Sequence, residues 1–149
     1  MERILSDPFI DEGYGEDESA PLRDSNGARD AEREAQLVED LAALNARLLK
    51  ERAFEKPSGN GRSKRALASF AAYHSLFEHR QGYYPGVNAA TMALIAGDAA
   101  KARSIAGKLV KSLSRDAEDY WPLATLAEAL LISGDAAQAK TVLAKARSA

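Results

Sequence analysis

The chain of 149 residues has no cysteine, which excludes disulfides, thiol catalysis and cysteine-ligated metals. Aromatic residues reach only 7%, and valine and isoleucine are sparse, a balance that favours packed helices over strands. No apolar run approaches the roughly eighteen residues a membrane-spanning helix needs. The amino terminus reads Met-Glu-Arg and is acidic, without the apolar stretch of a secretory signal. By elimination, the expected setting is the cytoplasm, with no membrane partner.

Against these absences stand 46% apolar residues and abundant alanine, enough for one helical domain with a real core. Charge is unevenly placed. Residues 1–40 hold thirteen Asp and Glu against four Arg, a net of −9, while residues 41–149 hold sixteen Lys and Arg against nine acids, a net of +7. An acidic arm of this kind either stays solvated or lies back on the basic body.

The arm is expected over residues 1–28, where Pro8, Gly13, Gly15, Pro21 and Gly27 interrupt an acidic, weakly apolar stretch. A single helical domain, 29–149, follows. A helix is predicted over about 29–54, with Leu37, Leu41, Leu44 and Leu48 on one face directed into the core. The run Pro57-Ser-Gly-Asn-Gly61 then reads as a loop. A second helix is expected over about 63–80, with Leu67, Phe70, His74 and Phe77 inward and Gly82 as its C-terminal glycine.

Beyond Gly82 the sequence repeats itself at an offset of 37 residues, the mark of a solenoid. Tyr83-Tyr84-Pro85 aligns with Tyr120-Trp121-Pro122, Leu94-Ile95 with Leu131-Ile132, and Gly97-Asp98-Ala99-Ala100 with Gly134-Asp135-Ala136-Ala137. Ala90 falls on Ala127, Ala102 on Ala139 and Lys108 on Lys145, so that about a third of the aligned positions are identical without a gap. Each unit reads as helix, turn, helix. Pro85 and Pro122 open the first helix, Gly97 and Gly134 close it, and Asp98 and Asp135 cap the second. Helices are thus expected over about 84–96, 98–113, 121–133 and 135–148. Such units bury their apolar faces only by stacking.

These residues resemble a tetratricopeptide repeat: small residues at Ala90, Ala127, Ala102 and Ala139, and a Gly-Asp turn between helices. The period is three residues longer than the usual thirty-four, and Leu109 stands where the pattern prefers a small residue. The stretch Gly82-Tyr-Tyr-Pro-Gly-Val-Asn-Ala-Ala-Thr91 is similar to the TRAF-binding, tetratricopeptide-like region of the apoptosis signal-regulating kinases and its bacterial relatives, over roughly Leu67 to Ala149. The resemblance implies an all-α fold of antiparallel helix pairs stacked as a right-handed α-α superhelix. It also implies a regulatory scaffold that binds another polypeptide within a larger signalling assembly, and no catalytic role.

In such repeats the first helix of each pair lines the concave surface. The resemblance therefore assigns partner binding to Tyr84, Asn88, Thr91, Trp121, Thr125 and Glu128. Tyrosine and tryptophan commonly dominate interface energetics, and an asparagine amide can donate to and accept from a peptide backbone. Tyr84 and Trp121 would equally fill space between repeats, and Asn88 could cap its own helix. Leu94, Leu131 and the isoleucines beside them read as core.

Other chemistries find no support. His74 and His79 are five apart and do not share a helical face, so they form no paired metal site. His74 reads as a hydrogen-bonded core histidine. Asp116, Glu118 and Asp119 suit the start of a helix at Trp121 better than a metal. Gly13-Tyr-Gly15 and Gly59-Asn-Gly61 lack the context of a phosphate loop. Neither catalytic residues, nor a metal, nor a cofactor is expected. The basic second-helix residues, such as Lys101, Arg103, Lys108 and Lys111, read as a solvated outer face, because a pI near 5.7 does not suit a nucleic-acid binder. Finally, Val142 and Leu143 lack an evident capping helix. The alternative function is therefore homodimerisation through this apolar end of the array.

Overall fold

The structure is a computed structural model that describes residues 24–55 and 59–149. The arm expected over 1–28 falls, up to residue 23, outside the described residues, as do Pro57 and Ser58 of the expected loop. The described residues form six helices and no strand: α1 (Asp24–Phe54), α2 (Asn60–Arg80), α3 (Tyr83–Ala96), α4 (Ala99–Ser112), α5 (Tyr120–Ser133) and α6 (Ala136–Ala146). Each helix packs on the next, and α3 also packs on α5, which is the neighbour pattern of stacked helix pairs. Helix α1 begins five residues before the expected boundary, at Asp24, and α2 begins at Asn60, inside the expected loop.

The repeat turns form as their residues demand. Gly97 and Gly134 take the left-handed conformation, at φ 95° and 96°, which an L side chain adopts only with strain. Asp98 accepts from the Lys101 amide at 2.9 Å and Asp135 from the Gln138 amide at 3.0 Å, so both aspartates cap as the sequence predicts. Asp119 precedes α5, but its side chain makes no capping bond. At the end of α2 the expectation fails. Gln81, not Gly82, closes the helix in the left-handed conformation at φ 52°, and Gly82 is extended and starts α3.

The larger correction concerns the faces of α1 and α2. Leu37, Leu41, Leu44 and Leu48 point to solvent, between 45% and 59% exposed, while Ala46 and Ala53 are fully buried on the opposite side. Small residues let α1 approach α2 closely, and the bulkier leucines are left outside. Along α2 the buried positions are Ala66, Ser69, Tyr73 and Phe77; Phe77 is inward as expected, but at the other three positions the buried residue precedes the expected one, so Leu67 is exposed and Phe70 and His74 are half-buried. The His74 ring lies against Phe70, with centroids 5.1 Å apart. The α1–α2 hairpin is antiparallel: Ser69 Oγ donates to the Ala46 carbonyl at 3.1 Å, Arg65 donates to the Arg52 carbonyl, and Arg80 pairs with Glu39.

Two clusters form the core. The first joins α1, α2, α3 and α4, with Ala129 of α5, around Tyr73, Phe77, Met92, Ile105 and Leu109. The second joins α5 and α6 around Leu123, Leu126, Leu130 and Val142. Val142 is therefore covered, and only Leu143 of the expected bare pair is exposed, at 45%. Gly86 marks the tightest approach in the first cluster. A Cβ there would lie 2.8 Å from the Phe77 ring and 2.9 Å from Leu109.

Ala53, Ala90 and Ala127 stand 37 residues apart in succession and all are buried.

Candidate functional site

The six candidate residues lie on α3 and α5, three on each, and correspond in pairs across the repeat: Tyr84 with Trp121, Asn88 with Thr125, Thr91 with Glu128. The fold treats the three pairs differently. Tyr84 and Trp121 project from the first turns of their helices and are 52% and 70% exposed. Asn88 and Thr125 are buried. Thr91 is half-buried and donates from Oγ1 to Oε1 of Glu128, which is exposed.

Asn88 is occupied from within. Its Nδ2 donates to the Tyr84 carbonyl at 2.9 Å, one turn back along α3, and its Oδ1 accepts from the Lys50 ammonium at 2.7 Å. An amide so engaged retains one N–H and one lone pair for anything further. The bond to Lys50 ties α1 to α3 at nearly the register in which Thr91 and Glu128 tie α3 to α5.

Beside Asn88 the Tyr84 ring meets Tyr73 edge-on, at 6.2 Å between centroids and 77° between planes. The Tyr73 hydroxyl is buried and, among the described residues, has no hydrogen-bond partner. Burial, and then the adjacent Tyr84 phenol, push its pKa well above the ordinary phenol range. Trp121 likewise meets Tyr120 edge-on at 5.1 Å and 81°, an arrangement that limits the rotamers of the exposed indole.

Leu94 and Leu131, expected in the core, are 48% and 61% exposed. Together with Tyr84 and Trp121 they give the α3–α5 side an apolar, aromatic surface bordered by the Thr91–Glu128 bond. Sequence periodicity could have found these leucines, since each follows the surface threonine or glutamate by three residues. Their apolar type concealed them. Leu131 also lines, with Ala124, Ala136, Lys140 and Leu143, a groove of about 480 Å³ between α5 and α6.

Among the described residues no group of three or more His, Asp or Glu could hold a metal ion, and no helix is long and apolar enough to cross a membrane.

The family model for the MAP3K TRAFs-binding domain matches residues 27–147, which takes in α1 and α2 as well as the two clear repeats. No match was found among curated proteins or among solved structures.

Proposed function

Because the chain belongs to the MAP3K TRAFs-binding domain family, we propose that it is a regulatory adaptor that binds a polypeptide of the TRAF class through the exposed side of α3 and α5. The observation that carries this reading is the pairing of Tyr84 and Trp121, two large aromatics held in solvent at corresponding positions of successive repeats. An aromatic left exposed in two copies, with an exposed leucine at the other end of each helix, is the composition of an interface. Glu128 supplies a polar rim. Asn88 acts from below, tying α3, which presents Tyr84, to α1 through Lys50. The role is assembly within a larger signalling complex, without catalysis.

Trp121 is the only tryptophan in the chain and reports on this face directly. Titration with a TRAF protein should shift its emission to shorter wavelength as the indole is covered. Trp121→Ala should weaken binding at least about tenfold, the loss expected of an interface anchor. Unchanged emission on binding, with wild-type affinity in the alanine variant, would place the contact elsewhere and end this reading.

A second reading, homodimerisation through the end of the array, is favoured by the groove beside Leu131 and Leu143. Leu143→Asp should then abolish self-association without altering helical content.

A further inference from the structure

The solvent-facing leucines of α1 follow a pattern of their own. Leu37, Leu41, Leu44 and Leu48 are spaced four, three and four apart, the a and d spacing of a two-heptad coiled-coil seam. Core-facing Ala46 lies at the heptad position opposite the seam, and so does Ala53. One helix thus carries two apolar faces: a narrow alanine face spent on its own domain and a leucine face covered by nothing in the chain's described residues. Glu34 and Glu51 occupy the next seam positions on either side and limit it to four leucines.

We propose that this seam pairs with the α1 helix of a second copy, antiparallel, about a two-fold axis passing between Ala42 and Ala43. In that register Leu37 meets Leu48 of the second copy and Leu41 meets Leu44, so all eight leucines find partners. The charges beside the seam choose the direction. Asp40 and Arg47 occupy the flanking position that faces its own equivalent in an antiparallel pair, so each Asp40 lies beside an Arg47 of the other copy. In a parallel pair the same Arg47 would lie beside Arg52 of the second copy, a like-charge contact. Both residues are exposed and now make only local i,i+4 contacts, Asp40 with Gln36 at 2.9 Å and Arg47 with Glu51 at 3.0 Å, so they can reach across the seam. The alanine face leaves each repeat domain on the outer side of the pair, and the arrangement closes without leaving a free seam.

Sedimentation of the full chain from low micromolar to millimolar concentration tests the proposal. A monomer–dimer equilibrium is expected, and L41D/L44D should weaken it at least about 100-fold, with helical content unchanged because both positions are exposed. Two charge variants test direction. Asp40→Arg alone and Arg47→Asp alone should each weaken the homodimer, by about threefold to tenfold. An equimolar mixture of the two should recover it, since every cross-seam contact is then between opposite charges. A chain that stays monomeric at millimolar concentration overturns the proposal. A dimer untouched by L41D/L44D but lost in Leu143→Asp also overturns it and belongs to the array end. A tighter homodimer in Arg47→Asp, with no gain on mixing, means a parallel seam and overturns the antiparallel assignment.

Discussion

Thr91 hydrogen-bonds Glu128 from the same position of the neighbouring repeat, one period of 37 residues away. The contact exists because stacking brings equivalent positions of α3 and α5 face to face. It is therefore a measure of repeat register. Thr91→Val and Glu128→Ala should each cost little, and a double-mutant cycle in urea should return a coupling of about 0.3–1 kcal/mol, as for a solvent-accessible hydrogen bond to a charged group. Zero coupling would mean that the two helices do not hold this register in solution.

Asn88→Ala should destabilise the fold by about 1–3 kcal/mol, because it strands the part-buried Lys50 ammonium and removes a back-bond to Tyr84. Chemical denaturation would show this without any partner present. Loss of partner binding in this variant is consequently a stability effect, and Trp121→Ala is the cleaner probe of the surface.

Gly86→Ala should cost about 1–3 kcal/mol or more, since the new methyl group enters the Phe77 ring and Leu109. Glycine is tolerated inside α3 for this reason, although alanine is ordinarily the better helix former. If Gly86→Ala instead raises the melting temperature, the α2–α3–α4 contact is looser than described.

Tyr73 predicts a pH response. Its neutral form is favoured on folding, so the stability it contributes is complete below the ordinary phenol pKa of about 10 and falls as pH rises above it. Tyr73→Phe should remove this alkaline loss. At neutral pH the same change should be neutral or stabilising by up to about 1 kcal/mol, because the buried hydroxyl has no partner to lose. Melting temperatures of both proteins between pH 7 and 11 decide the matter.

Gln81→Gly should stabilise the chain by about 0.5–1 kcal/mol, by relieving the left-handed strain at φ 52° that closes α2. The neighbouring Gly82 is extended and should show no matching gain from its own conformational freedom. A destabilised Gln81→Gly variant would mean that the Gln81 side chain contributes more than its backbone strain costs.

The repeat units were legible because their signals are local. Gly97 and Gly134 are needed wherever a helix must stop in the left-handed conformation, and Asp98 and Asp135 bond to amides three residues away. Such features depend on a handful of neighbouring residues, so the letters alone are enough. The 37-residue period, carried by identical letters, then implied stacking.

The faces of α1 and α2 could not be read this way. Periodicity shows that Leu37, Leu41, Leu44 and Leu48 share a side, but not what that side meets. The alanine face of α1 was an equally regular stripe, and it won the core because small side chains bring helices closest. The burial of Asn88 was hidden for a related reason: Lys50, thirty-eight residues earlier, supplies the charged partner that permits it.

The sequence by itself determined the helical class, the repeat, and the glycine turns and aspartate caps inside each repeat, since each depends on contacts within a few residues or on direct internal likeness. Tertiary structure alone decided which stripe is buried, which polar residues are satisfied inside, and which aromatics and leucines remain exposed. Those outcomes depend on the volume and hydrogen-bonding groups that a distant helix brings, and no local pattern encodes them.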